Sequence, residues 1–173
     1  VFEQVHAEFG GVDVVVNCAG RLALSPIADL DLSVLDAVHR TNIRGTFVVA
    51  QQAARQLRVG GSFVAFRPPW SPPSSPPTVP TPPARARSRA ITLILARELR
   101  GRDITVNAVA PGPTATGLFL DGKTDEQIEA LTKAPPLERL GTPADIAHVV
   151  AFLTSREGHW VNGQILRANG GLA

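Results

Sequence analysis

The sequence predicts an α/β fold with a parallel sheet, on three observations. Val12–Val16, Ser62–Phe66 and Ile104–Ala110 are short runs of the kind buried on both faces of such a sheet. Segments with apolar residues at helical spacing separate them, and strand–helix alternation argues for parallel layers. The first and third runs lead directly into small or turn-forming residues, and open α/β sheets bind ligands at such strand ends. At 173 residues, 44% of them hydrophobic, one domain with a substantial core is expected.

Each element has a local reason. Val1, Val5 and Phe9 share one side of an opening helix, which lacks a capping residue and is ended by Gly10-Gly11. Val12–Val16 runs into Asn17-Cys18-Ala19-Gly20, and residues 21–30 read as loop. Asp31 or Ser33 can cap a long helix through Ala54 or Gln56, with Leu35, Val38, Ile43, Phe47 and Ala50 at apolar positions. Asn42 lies in its middle, where an amide competes for backbone bonds; the plain reading is a tolerated surface residue. Gly60-Gly61 turns into Ser62–Phe66. Ala90–Arg100 reads as a helix already under way, stopped by Gly101. After Ile104–Ala110, Pro111-Gly112-Pro113 ends the strand and brings backbone close to the crevice. Residues 117–142 are polar and irregular, with a short helix near Asp125–Thr132, and suggest a lid. Thr142 can cap a helix with Pro143 in first position, and Val161–Ala168 is the last strand.

Composition narrows the function classes. No apolar run reaches membrane-spanning length and the start of the sequence has no signal-peptide pattern, so a cytoplasmic setting and no membrane partner are expected. Cys18 is the only cysteine, which excludes an internal disulfide; it reads as a small buried hydrophobe. The four histidines show no metal-ligand spacing, so no metal site is expected. The pI near 9.3 could suggest nucleic acid. However, four arginines lie within 67–89, and without them thirteen basic residues face fifteen acidic ones. No nucleic-acid partner is therefore expected. The chain has no tyrosine. Asn107 reads as a buried amide tying adjacent backbone, and Trp160 as the cap of the last helix-to-strand turn.

Residues 67–89, RPPWSPPSSPPTVPTPPARARSR, break the pattern. They hold nine of the fifteen prolines and no acid. Proline fixes φ and lacks an N–H, so neither a central strand nor a regular helix is expected. Read alone, Pro80-x-x-Pro83-x-Arg85 fits a polyproline ligand for an SH3-type partner, which makes a Pro-rich interaction module the alternative function.

The pieces DVVVNCAG, TNIRGTF, GGSFV, ITVNAVAPGPTAT, PLERLGTPADIAHVVAFL and VNGQILRANGG, in this order, resemble the short-chain dehydrogenase/reductase family, in the branch that includes 3-oxoacyl-carrier-protein reductases. The resemblance covers nearly all the chain outside 67–89. It implies a truncated Rossmann-like doubly wound parallel sheet built from the C-terminal strands and helices. Residues 1–66 would be the middle of that domain, 67–89 an aberrant irregular segment, and 90–173 its C-terminal part with a substrate lid within 117–142. It implies hydride transfer between NAD or NADP and a small carbonyl or alcohol substrate, in a homo-oligomer. By the same resemblance, Asn17, Ala19 and Gly20 match a motif that supports the sheet and borders the cofactor. Asn42 matches the helix Asn of the catalytic tetrad, whose main-chain carbonyl holds a water in the proton relay. Pro111, Gly112, Thr114 and Thr116 match positions at the nicotinamide end of the dinucleotide.

Two departures follow. The sequence contains no Gly-x-Gly-x-x-Gly turn to cradle a pyrophosphate, so cofactor binding is expected to be weak or absent and Val12–Val16 to present an unpaired edge. The family's Ser, Tyr and Lys slots fall on Pro68, Thr81 and Arg85, which cannot polarise a carbonyl, donate a phenolic proton or supply a compact ammonium. Catalysis is therefore expected to be absent and subunit association weak. The genetic code is compatible with two compensating single-base shifts, near codons 66 and 89. Read one base earlier, the codons of Thr81 and Arg85 permit Tyr and Lys, and that of Pro68 permits Ser.

Overall fold

A computed structural model describes residues 1–23, 25–67 and 91–172. Most of the proline-rich segment, including Pro68, Trp70, Thr81 and Arg85, lies outside the described residues.

Four strands form one parallel sheet in the order β1-β2-β3-β4: β1 (Val12–Asn17), β2 (Leu57–Phe66), β3 (Thr105–Pro111) and β4 (Ile165–Ala168). Side chains alternate across it, as period-2 geometry requires. Phe63, Ala65, Val106 and Ala108 face one layer, where they join Ala50, Ala53, Ile91 and Leu95. Val64 and Val109 face the other, against Ile146 and Leu153. The first layer is built by α1 (Phe2–Phe9), α3 (Thr46–Gln56) and the helix over 91–98, α4; the second by α7 (Pro143–Leu153).

Chain entry and exit follow local chemistry. Gly10, at φ 74°, takes the left-handed position that ends α1. Asp31 caps α2 (Leu32–His39) by accepting from the Ser33 N–H at 2.8 Å. Thr142 and Asp145 form a reciprocal capping box at the start of α7, with Pro143 in the first turn. The Arg102 guanidinium donates to the carbonyls of Ala54 and Leu57, satisfying acceptors left over where α3 ends. Asn107, fully buried, donates from Nδ2 to Val161 O at 2.6 Å and accepts from the Gln164 N–H at 3.0 Å. It ties β3 to the approach of β4, as its sequence position suggested.

Several details depart from the sequence reading. The helix expected from 31 to 56 is α2 and α3 joined by a π-helical turn, Arg40–Gly45, with Asn42 inside it. The Gly60-Gly61 turn is a bulge within a longer β2: Val12 pairs with Leu57 and Val14 with Ser62. A Cβ on Gly61 would lie 2.6 Å from Asp13 O, so only glycine fits there. Val12–Val16 is not buried on both faces, since Val14 and Val16 are 44% and 40% exposed. β1 is the edge strand, and only the face carrying Val15 meets α1 and α3. Trp160 is 99% exposed, so it does not cap its turn; the Val161 N–H to Gly158 O bond at 2.9 Å closes it. Cys18 is exposed rather than buried.

Candidate active site

The carboxyl ends of β1, β2 and β3 open onto one cleft of about 640 Å3. Seven of the eight residues singled out by the sequence line it: Ala19, Gly20, Asn42, Pro111, Gly112, Thr114 and Thr116. Asn17 lies beneath, 8% exposed at the end of β1.

A chain of hydrogen bonds fixes the wall. Asn17 Nδ2 donates to Thr46 Oγ1 at 3.3 Å, and that hydroxyl donates to Asn42 O at 2.9 Å. The Asn42 amide then reaches the loop after β1. It accepts from the Arg21 N–H and donates to the Arg21 carbonyl, both at 2.8 Å. An Asn that would weaken a regular α-helix is thus partnered, and the π-turn sets its position. Such turns recur at functional sites.

The far wall is tied with equal economy. Gly112 N–H donates to Ala168 O at 2.9 Å, and a Cβ on Gly112 would meet Asn169 Cα at 2.7 Å. Thr114 Oγ1 donates to Gly112 O at 3.0 Å. Ala115 N–H donates to Gly141 O at 2.9 Å and Gly141 N–H to Pro113 O at 2.8 Å, clamping both ends of the segment between them. That segment holds α5 (Gly117–Leu120), which the sequence did not suggest, and α6 (Asp125–Lys133), which it did. α5 places Leu118 and Phe119 in the cleft, and the Lys123 ammonium sits 4.5 Å from the Phe119 ring centre.

The remaining lining is mostly aliphatic, with Leu22, Ile43, Ile146 and Val150 among it. Thr46, Arg21 and Arg67 were missed by sequence reading. Thr46 had a signal, since a hydroxyl four residues after Asn42 can bond back to its carbonyl. The Cys18 thiol also borders the cleft, and desolvation pushes its pKa up with nothing to offset it. No cluster of metal-ligating side chains occurs among the described residues, and no helix among them is long and apolar enough to cross a membrane.

A parallel sheet with helices on both faces and a cleft at its strand ends is the architecture of a doubly wound α/β protein, whose ligands sit at such strand ends. Over residues 1–173 the chain matches a family model described as "Enoyl-(Acyl carrier protein) reductase". It is 39% identical to a short-chain type dehydrogenase/reductase of Picea abies, covering 99% of this chain and 65% of that one. It is likewise 39% identical to the chloroplastic NADPH-dependent aldehyde reductase 2 of Arabidopsis thaliana, with the same coverage. The crystal structure of an angucycline C-6 ketoreductase with bound NADP superposes with a TM-score of 0.86 at 29% identity, covering 99% of this chain and 67% of that one. The chain belongs to the short-chain dehydrogenase/reductase family, and its fold is a truncated form of that family's doubly wound sheet. It spans about 65% of the length of these curated relatives.

Proposed function

We propose that the cleft is the nicotinamide and substrate end of an NADP(H)-dependent carbonyl reductase, and that the chain as written does not turn substrate over. The convergence of Ala19, Gly20, Asn42, Gly112, Thr114 and Thr116 at three parallel strand ends carries the first half. The residues fit a flat ring. The volume lies within the range of about 300–1,000 Å3 common for small-molecule sites. A Cβ built on Gly20 meets nothing nearer than Asn42 Oδ1 at 3.8 Å, so backbone there is open to close approach. Bound there, the dinucleotide would supply a hydride.

The chain's own groups would position the reactants. Thr114 Oγ1, donating to Gly112 O, keeps lone pairs to accept from a carboxamide N–H. Asn42 O takes one hydroxyl from Thr46 and retains a second lone pair for a water. Segment 117–142, clamped at both ends, would cover the substrate. The proton is the missing part. The chain has no tyrosine, and the slots for Ser, Tyr and Lys hold Pro68, Thr81 and Arg85. The Cys18 thiol, with its pKa raised and no lysine among the described cleft residues, is poorly placed to replace a phenol beside an ammonium.

A titration of the 15N-labelled chain with NADP tests the cofactor reading. Amide shifts at Gly20, Gly112, Thr114 and Thr116 are expected. Binding should be weak without a pyrophosphate cradle, and shifts that fall on residues outside the cleft instead would contradict it.

A further inference from the structure

Two arginines and no acid line the cleft among its described residues, in a wall that is otherwise mostly apolar. Arg21 follows β1 by four residues and Arg67 follows β2 by one, and β1 and β2 are neighbours paired at Asn17 and Ala65. Both main chains are held. Arg21 is clasped by the Asn42 amide, and the Arg67 N–H donates to Val109 O at 2.8 Å. The Arg21 guanidinium itself makes no ion pair or hydrogen bond among the described residues. Arg21 is exposed, and an unpartnered guanidinium there can give a carboxylate a bidentate, charge-assisted hydrogen bond. Leu22, Ile43, Leu118, Phe119, Ile146 and Val150 supply the apolar contact that a hydrocarbon or aromatic body needs.

We infer that the cleft selects a carbonyl substrate with an apolar body and an attached acidic group, a carboxylate in the simplest case, held by Arg21. This deepens the reading of the cleft as a reductase substrate site and rests on it. The shared chemistry is an anion at Arg21, and the dinucleotide's phosphates are the other source of one.

Calorimetric titration of the 173-residue chain with 2-naphthoate and with neutral 2-naphthamide separates charge from shape. Naphthoate is expected to bind about tenfold tighter, the scale of one charge-assisted hydrogen bond. Arg21→Gln should bring the two ligands to within about threefold while leaving naphthamide affinity unchanged. Arg21→Leu is the second variant, in case the first does not fold. Equal affinities in the unmodified chain, no binding of either ligand, or a preference that survives both substitutions would each overturn the inference. So would inorganic pyrophosphate displacing naphthoate with the same Arg21 dependence, since Arg21 would then serve dinucleotide phosphates. The titrations contain no NADP, so their outcome is independent of the NADP shifts that test the cofactor reading.

Discussion

The side-chain amide of Asn42 pairs with both main-chain groups of Arg21, accepting from its N–H and donating to its carbonyl at 2.8 Å each. One residue of a π-helical turn thereby fixes the loop leaving β1, and with it one wall of the cleft.

Asn42→Ala should loosen that loop without unfolding the chain. Loss of the clasp is expected to cost about 1 kcal/mol. Hydrogen exchange at the Arg21 amide should speed by roughly fivefold, while amides of β2 and β3 stay protected. Unchanged protection at Arg21 would show that the clasp does not hold the loop.

Gly112→Ala should strain the β3–β4 junction, because its Cβ would meet Asn169 Cα at 2.7 Å. Overpacking of this kind costs about 1–3 kcal/mol. A urea midpoint that does not fall contradicts the packing described.

Asn107→Ala should destabilise more, by about 2–4 kcal/mol, because it leaves Val161 O and the Gln164 N–H without their partner in a fully buried place. Denaturant unfolding reads this directly, and a loss below about 1 kcal/mol would argue against burial of the pair.

Stability should fall in acid, with Asp145 a principal contributor. Bidentate contact with Arg139 and bonds from Thr142 hold its carboxyl well below the usual carboxylate range. The native carboxyl is thus the stronger acid, so the unfolded chain binds the proton first as pH drops. The contribution is complete above about pH 4, the unfolded value, and is lost as pH falls through the lower native value. Asp31, Glu126 and Glu157 shift in the same direction. Asp145→Asn should therefore reduce the acid-side slope without abolishing it. An unaltered slope would place the acid sensitivity elsewhere.

Much of the fold was legible because strand composition and cap chemistry are local. Gly10, Asp31, Thr142 and Pro143 act where the sequence puts them. Asn107 was readable as a buried tie because a strand interior leaves an amide few alternatives. What stayed hidden depends on partners distant in sequence. The exposure of Val14 and Val16 follows from which faces of the edge strand are covered, which the run's composition cannot report. The bulge around Gly60-Gly61 comes from β1 pairing with both Leu57 and Ser62. The site residues could be picked out by family resemblance, whereas Arg21 and Arg67 required knowing which strand ends are neighbours.

The most direct measurement is NADPH oxidation by the 173-residue chain in the presence of an aromatic aldehyde, beside a Pro68→Ser, Thr81→Tyr, Arg85→Lys variant of the same chain. A rate equal to the buffer blank is expected for the unsubstituted chain, because it has no tyrosine and the slot for one holds Thr81. Aldehyde-dependent turnover above the blank by the unsubstituted chain would overturn that expectation, and loss of that turnover on Cys18→Ser would identify the thiol as the donor.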